Sequence, residues 1–332
     1  MKGTFGRLVR IFLSYGVRIL SLLLAVSIIA FVLVSASPID PVQQYLIRLG
    51  TAVSPEQRAE IEAYWGVHQP PVQRYLHWLS ELLKGNLGES SLYRRPVSDL
   101  IRERFLNSLT LMLCAWALSG VIGFFGGCVM GMCRDRLPDR ILKRICYILS
   151  SVPTFWLGLI FLLVFSVRLK WFPIGFSSPV GVLSENVTLW QKIHHLILPA
   201  LTLSLMSFSN IALHTRQKLI DVLNSEYVLF ARARGEGDWT ILRRHGLRNI
   251  LFPALTLQFA SFAELFGGSV MAENVFSYPG LGSAVSAAGL NGDLPLLLGI
   301  TLFSTLFVCV GNLIANLLYG VIDPRVQEVG ES

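Results

Sequence analysis

Few side chains in this sequence could carry chemistry, and two of the most informative are carboxylates in or beside an apolar stretch. Glu264 lies within a run that extends from Asn249 to Ala272, and Glu273 follows directly after it. A charge at the centre of a bilayer costs about 2.5 to 3.5 kcal/mol or more, so Glu264 should face a polar pathway or a partner chain. Carboxylate oxygens suit a hard or borderline cation or its chelate. We therefore take Glu264 as a candidate pathway residue.

Other chemical signatures in the sequence are weak. It contains no GxxxxGK[ST] phosphate loop, no HExxH and no GxSxG motif. The pair His194 and His195 stands at the start of an apolar run, where histidines are more often interfacial than metal ligands. The five cysteines show no CxxC spacing and are interpreted as apolar packing residues. The sequence predicts no catalytic residues and leaves the metal ligands undetermined.

A second informative stretch spans residues 217–250. The sequence predicts a helix, a break at Gly235 and Gly237, a short cross-helix, and a return to apolar sequence at Pro253. We expect one apolar edge on the helix and a basic polar side. The edge comprises Tyr227, Val228, Phe230 and Ala231, and the polar side comprises Arg232 and Arg234. Such a helix either lies on lipid or presents a knob to a partner's groove.

The elements that must position these residues are membrane helices. Of the 332 residues 53% are hydrophobic and only 15% are charged, compared with about 25% charged in soluble domains. Apolar runs of about 20 residues, the length that crosses a bilayer, occur six times. They are Ile19 to Ala36, the stretch between Arg104 and Arg134, the stretch between Arg144 and Arg168, Leu196 to Thr215, Asn249 to Ala272, and the stretch between Asp293 and Asp323.

The distribution of basic residues predicts the orientation of these spans. The N-terminal side and the second-to-third and fourth-to-fifth loops are rich in Arg and Lys, whereas the fifth-to-sixth loop has none. The positive-inside rule then places both termini in the cytoplasm. This alternation also accounts for the net charge of +7 without a nucleic-acid partner. Because 18 apolar residues are too many for a signal-peptide core, the first run is predicted to be a span.

The chain divides into four predicted regions. Residues 1–36 form a cytoplasmic N-terminus and first span, and residues 37–106 form an external cap segment or a mere spacer. Residues 107–322 form a five-helix core that contains the 217–250 loop, and residues 323–332 form a cytoplasmic tail. Within the core, Gly123, Gly127 and Gly131 form a small-residue stripe that predicts close helix packing.

The 217–250 loop carries a family resemblance. Glu226, Ala231, Gly235 and Pro253 resemble the EAA loop of bacterial ABC importer permeases, and Tyr227 followed by Val228 is similar to the dipeptide, oligopeptide and nickel branch. Further stretches similar to that branch are spread over essentially the whole chain. They are Pro38 to Val42, Gly85 to Ser90, Pro96 and Val97, Val152 to Trp156, Leu198 and Pro199, Phe276 to Gly282, and Asp323 to Arg325. Tyr227 and Val228 depart from the general Ala-Ala pattern of the loop, and Tyr278 stands where Trp is more familiar.

The resemblance implies an all-α membrane protein with six transmembrane helices of the type I ABC importer permease architecture and an external segment after helix 1. It also implies a multi-pass protein of the bacterial inner membrane. The implied partners are membrane lipid, a second homologous permease, two ABC ATPase subunits and an external substrate-binding protein. ATP and Mg would be held by the ATPases, so this chain itself would bind no cofactor and would not be an enzyme. The implied coupling residues are Glu226, Tyr227, Ala231, Arg232, Arg234 and Gly235.

The residues around Glu264 also bear on the identity of the substrate. Glu264 followed by Gly267 and Gly268, with Glu273 and Asn274, is particularly similar to nickel permeases. This resemblance implies Glu273 as a second candidate pathway residue and favours nickel or a metal chelate as the substrate. The alternative is a di- or oligopeptide. Glu264 could also be a buried structural residue that pairs with an Arg or hydroxyl of the partner permease. A secondary transporter or a membrane-embedded enzyme would need more intramembrane polar residues than this sequence offers.

Overall fold

The structure is a computed structural model, and it describes residues 2–36, 42–43, 46, 54–64, 69–182 and 184–322. Its helices are α1 Lys2–Ser35, α2 Pro55–Tyr64, α3 Pro71–Leu83, α4 Val97–Met132, α5 Leu137–Ser151, α6 Thr154–Phe161, α7 Leu189–Leu223, α8 Glu226–Ala233, α9 Asp238–Ile241, α10 Leu247–Ala260, α11 Phe262–Val275, α12 Leu281–Leu290 and α13 Leu294–Ile322. Single π-helical segments continue α6 over Leu162–Arg168 and α9 over Leu242–Gly246, and Ser184–Asn186 is a 3-10 turn. Two short strands, β1 Glu89–Ser90 and β2 Arg95–Pro96, pair antiparallel.

The lengths of the helices agree with the apolar runs. Within the described ranges, four helical stretches are long and apolar enough to cross a bilayer: Tyr15–Ser35, Val97–Met132, Leu189–Leu223 and Leu294–Ala315. Two bent pairs raise the number to six if each pair is one span: Leu137–Ser151 with Thr154–Arg168, and Asp238–Ala260 with Glu264–Val275. The predicted N-terminal and C-terminal motif residues 38–41 and 323–325, and the tail 323–332, lie outside the described residues.

The third apolar run is not one straight helix. Helix α5 ends at Ser151, Val152 is extended with φ −93° and ψ 130°, and the chain turns by 110° into α6. Pro153 explains the break, because its ring disfavours the helical region for the residue before it. The fifth run is also interrupted, by a bend of 58° between α10 and α11. Apolar composition alone predicted neither bend.

The chain forms two compact units, one of which comprises Met1–Leu106 and Ser283–Val310. In this unit α1 packs on α3, where Ser27 Oγ and Tyr75 Oη lie 2.8 Å apart and the Phe31 and Tyr75 rings meet edge to face. Asp293, fully buried, precedes α13 and accepts hydrogen bonds from Ser90 Oγ at 2.5 Å and from the Leu92 amide at 2.9 Å. The strand pair is thereby fixed to the start of α13.

The other unit comprises Asn107–Gly282 and Gly311–Ser332, and close contact between α4 and α7 is central to it. A Cβ added at Gly127 would lie 2.6 Å from both the Ala212 carbonyl oxygen and Thr215 Cβ. Gly123 and Gly131 likewise face Ile211 and Leu219. The predicted role of this stripe in helix packing is confirmed.

Two polar links join further helices in this second unit. Trp116 Nε1 on α4 donates to the Gln258 carbonyl at 2.7 Å, and Gln258 Nε2 donates back to the Trp116 carbonyl at 2.5 Å. Arg216 on α7 holds Asp139 on α5 through a two-pronged ion pair, with Nε to Oδ1 at 2.6 Å and Nη2 to Oδ2 at 2.7 Å. Because Asp139 is fully buried, this pair fixes α5 against α7.

Candidate functional site

The first residues of the 217–250 loop, 217–223, form the end of α7, and α8 starts at Glu226. Ser225 precedes α8 with extended backbone, and Glu226 places a carboxylate in its first turn, where the helix dipole favours negative charge. Val228 and Ala231 are completely buried against Ile241 of α9. This small apolar cluster folds α8 and α9 onto each other and holds the loop in one shape.

Gly235 ends α8 in a left-handed conformation with φ +84°. Its amide donates to the Arg232 carbonyl at 2.9 Å, and the Glu236 amide donates to the Ala231 carbonyl at 3.1 Å. This pair of bonds is the Schellman motif, which satisfies carbonyls that a helix end leaves open. A Cβ at Gly235 would meet nothing within 4 Å, so the residue is needed for its backbone conformation and not for space.

The loop exposes three large apolar side chains. Leu229, Phe230 and Trp239 are 67%, 70% and 72% exposed. Arg234 Nη2 donates to Glu236 Oε1 at 3.0 Å, and Arg232 Nη2 lies 3.7 Å from Asp238 Oδ1, so both cations have acidic partners within the loop.

The predicted single apolar edge of α8 is therefore wrong. Val228 and Ala231 face inward, whereas Phe230 and the 45% exposed Tyr227 face outward. At about 100° per residue, Val228 and Phe230 lie about 160° apart around the helix. Sequence reasoning also missed Leu229 and Trp239. Their signal was two large apolar residues within a strongly basic loop.

Side-chain contacts tie α8 to the start of α10. Asn249 Nδ2 donates to Tyr227 Oη at 3.1 Å and to the His245 carbonyl at 2.8 Å. His245 Nε2 lies 3.4 Å from Glu236 Oε2, next to the Schellman turn. The loop is thus braced from α8 across to α10.

Glu264 lies on an exposed stripe of α11. The residues at helical spacing on this stripe are Glu264, Gly267, Met271 and Asn274, and all four are exposed. Within the part of the chain that the structure describes, no hydrogen bond or ion pair reaches the Glu264 carboxylate. Its exposure in the isolated chain is compatible with a pathway or with a partner chain.

Glu273 lies on the opposite side of α11 and is fully buried. Ser108 Oγ donates to its Oε1 at 2.6 Å and itself accepts from the Leu281 amide at 2.8 Å. A Cβ at Gly280 would overlap the Glu273 carboxylate. In this conformation Glu273 fastens the turn after α11 and does not face an open pathway, contrary to the expectation from the sequence. Desolvation raises the pKa of the nearby buried Tyr278 to about 12.

The histidine pair at the start of α7 holds a loop. His194 Nε2 lies 2.9 Å from the Trp171 carbonyl oxygen, and His195 Nδ1 lies 2.8 Å from the Gly175 carbonyl oxygen. The Trp190 ring stacks on His194 with centroids 6.1 Å apart. Among the described residues no group of three or more His, Cys, Asp or Glu is arranged to hold a metal ion.

Comparison with known proteins places these features in one family. The family model described as binding-protein-dependent transport system inner membrane component matches residues 123–328, and the N-terminal model for such membrane components matches residues 8–112. Among solved structures, a methionine ABC transporter in inward-facing conformations matches with a TM-score of 0.51. The match has 16% identity and covers 68% of this chain and 96% of that chain, so it concerns the fold alone.

Curated relatives match along nearly the whole length. An oligopeptide transport system permease protein of Bacillus subtilis is 35% identical over 92% of this chain and 95% of its own length. A putative peptide permease protein of Brucella ovis is 34% identical over 93% of this chain and 96% of its own length. A glutathione transport system permease protein of Escherichia coli is 33% identical over 92% of this chain and 94% of its own length. The all-α type I permease architecture is confirmed, and the chain belongs to the binding-protein-dependent transport system inner membrane components, in the peptide and nickel branch of the ABC importer permeases.

Proposed function

We propose that this chain forms half of the translocation pathway of an ATP-driven importer of di- or oligopeptides. The observation that carries the proposal is the similarity, along more than nine-tenths of the chain, to permeases named for oligopeptide, peptide and glutathione transport. These names favour the peptide alternative over nickel or a metal chelate, which the motif around Glu264 had favoured.

Glu264 is proposed to serve peptide passage as an electrostatic guide. A peptide with a free N-terminus carries an ammonium group, and the exposed carboxylate on α11 offers it a negative charge. Gly267 on the same stripe leaves open space, since a Cβ there would meet nothing within 4 Å. Met271, 52% exposed, adds a flexible apolar surface that tolerates varied side chains.

The 217–250 loop is proposed to transmit the energy of ATP hydrolysis. In the assembly implied by the family, two such permeases meet two cytoplasmic ATPases, and an external binding protein delivers substrate. The exposed side chains of Leu229, Phe230 and Trp239 supply an apolar knob of the kind that a partner groove buries. Because the loop is braced internally, displacement of α8 would move α7 and α10 together. A bistable bundle would convert that displacement into alternating access.

Uptake by the complete complex tests the proposal. Proteoliposomes that contain both permeases and both ATPases, supplied with the binding protein, would be loaded with ATP and given either a labelled dipeptide, a labelled pentapeptide or labelled nickel. We expect concentrative, ATP-dependent uptake of at least one peptide and none of nickel. Uptake of nickel without uptake of either peptide would instead support nickel or a metal chelate as the substrate. Uptake that persists without ATP would indicate a secondary transporter.

A further inference from the structure

We infer that Asn210 on α7 is a second substrate-binding residue of the pathway, and that its side-chain amide hydrogen-bonds a peptide group of the substrate. This role rests on the proposed function, because it takes the substrate to be a peptide. It extends the site from one carboxylate on α11 to a surface formed by two neighbouring helices. Nothing in the local sequence around Asn210 singles the residue out, and its position in the fold does.

An exposed stripe runs along the C-terminal half of α7. The residues at helical spacing on this stripe are Met206, Asn210, His214 and Gln217, and all of them except the half-buried His214 are exposed. The helix is packed on another side, where Ile211 and Thr215 meet the glycines of α4. The Asn210 stripe therefore faces away from α4.

Asn210 lies within the membrane-spanning part of α7. The next Arg or Lys along the helix is Arg216, six residues away, which is about 9 Å at 1.5 Å per residue. In the part of the chain that the structure describes, no hydrogen bond reaches the Asn210 side chain. An amide left without hydrogen bonds in hydrocarbon is costly. Asn210 therefore needs a polar partner that this chain does not supply, either in a watered pathway or on a partner chain.

The contact between α7 and α11 relates this stripe to Glu264. A Cβ added at Gly268 would lie 2.7 Å from Met206 Sδ, so these two residues mark the contact. Further along α11, Val275 and Thr202 of α7 meet at one point: a Cβ added at Gly158 would lie 3.2 Å from Val275 Cγ1 and 3.3 Å from Thr202 Cγ2. Residue numbers rise along α11 while those of its α7 neighbours fall. The two helices are therefore antiparallel.

The antiparallel arrangement places Asn210 and Glu264 at one level. Glu264 precedes Gly268 by four residues, and Asn210 follows Met206 by four residues. Both are thus about one turn from the contact, in the same direction along the molecule, and each is rotated by only about 40° from the residue that makes it. A pathway that passes the Glu264 carboxylate would also pass the Asn210 amide.

The two groups complement the N-terminal end of a peptide. The Glu264 carboxylate offers a negative charge to the ammonium group. The Asn210 amide offers one acceptor oxygen and an NH2 donor, which match the N–H and C=O of a peptide group. Every peptide carries these groups whatever its side chains are. Lipid would satisfy neither Glu264 nor Asn210, whereas a peptide in a watered pathway satisfies both.

Parallel changes in the protein and in the substrate provide the test. The complete complex would be given binding protein saturated with labelled dialanine or with labelled alanyl-lactate, in which an ester oxygen replaces the peptide N–H. The ratio of the two initial uptake rates should fall about two- to tenfold in Asn210→Leu, the worth of one net hydrogen bond. The matched Asn210→Gln variant keeps the amide and should stay closer to the wild-type ratio. Effects of the ester on the binding protein cancel, because they are the same in every variant.

The outcomes separate this role from its rivals. Equal ratios in the wild type and Asn210→Leu, at equal assembled yield, would overturn it. An unchanged ratio with a lower assembled yield in Asn210→Leu would also overturn it and would assign Asn210 to the contact with the partner permease. Failure of the proposed function would instead show as a wild-type complex that takes up neither compound.

Thiol reactivity in the same complex provides a second measurement. Asn210→Cys would be introduced into a chain whose five native cysteines are replaced, and the complex would be treated with a charged, water-soluble methanethiosulfonate. We expect position 210 to react and saturating dialanine to slow the reaction. A thiol that does not react would lie against lipid or a partner chain, which would overturn the role in the pathway.

Discussion

At the scale of single residues, the proposed role of Glu264 predicts how a substitution there changes peptide uptake. If its carboxylate attracts the peptide ammonium, Glu264→Gln preserves shape and hydrogen bonding but removes the charge, which matters more in a low-dielectric cavity than in water. We expect the initial rate of uptake to fall at least about tenfold with the assembled yield unchanged. An N-acetylated peptide serves as the matched control, because it lacks the ammonium and should be nearly insensitive to the substitution.

The rival role of Glu264 predicts a different pattern. A Glu paired with a cation of the partner permease would leave that cation unpaired in Glu264→Gln, at a cost of about 3 to 5 kcal/mol. The yield of assembled complex would then fall for every substrate. Normal yield with unchanged uptake of free and acetylated peptides would exclude both roles.

The two carboxylates also show what sequence reasoning could reach at this scale. The sequence predicts a pathway role for both Glu264, as a charge within an apolar run, and Glu273, through the resemblance to nickel permeases. They are nine residues apart, and nine steps of about 100° place them on opposite sides of one helix. That argument needs α11 to be continuous from 264 to 273, which the structure supplies. The partners of Glu273, Ser108 and Gly280, are distant in sequence and no local pattern indicates them.

At the scale of elements, the close approach of α4 and α7 can be tested with two adjacent glycines. In Gly127→Ala the new Cβ would lie 2.6 Å from the Ala212 carbonyl oxygen, and such overpacking costs about 1 to 3 kcal/mol. At Gly126 the nearest atom is Phe208 Cε2 at 3.5 Å, which is ordinary contact. We expect a lower thermal midpoint of unfolding in detergent for Gly127→Ala only. Equal midpoints for the two variants would refute the packing.

The 217–250 loop offers a second matched pair of glycines. Gly235 has φ +84° and Gly237 has φ −74°, and an added Cβ meets nothing within 4 Å at either position. Gly235→Ala therefore strains the end of α8 by about 1 kcal/mol, whereas Gly237→Ala does not.

We expect Gly235→Ala to weaken stimulation of the ATPases by loaded binding protein in the reconstituted complex, and Gly235→Asp to weaken it further by adding a charge beside the docking surface. Gly237→Ala should behave as the wild type. If Gly235→Asp also gives wild-type stimulation and uptake, the loop does not couple this permease to the ATPases.

The elements themselves were largely predictable from the sequence, while their bends were not. Apolar run length indicated the long helices, and the glycines indicated the end of α8. Pro153 is visible in the sequence, but the hydropathy of the run does not predict that the helix breaks there. The outward direction of Phe230 depends on which face of α8 packs on Ile241, a tertiary contact that periodicity over eight residues does not determine.

At the scale of the whole molecule, the distribution of charge predicts how the chain is oriented across the membrane. Basic residues gather in alternate loops, which predicts both termini inside and residues 37–106 outside. Glu60 is exposed on α2, Phe230 is exposed on α8, and Arg325 lies outside the described residues. Single cysteines introduced by Glu60→Cys, Phe230→Cys and Arg325→Cys sample three predicted positions with one reagent.

In intact cells, a membrane-impermeant maleimide should label position 60 and leave positions 230 and 325 unmodified until the membrane is permeabilised. The unsubstituted chain controls for its five native cysteines.

Position 230 also tests whether α8 docks on the ATPases, because a side chain buried in an ATPase groove is shielded from the reagent. After permeabilisation, its labelling should be slower with the ATPases present than without them, while labelling of position 325 should not change. Labelling of position 325 from outside would overturn the orientation. Equal labelling of position 230 with and without the ATPases would remove α8 from the interface while leaving the orientation intact.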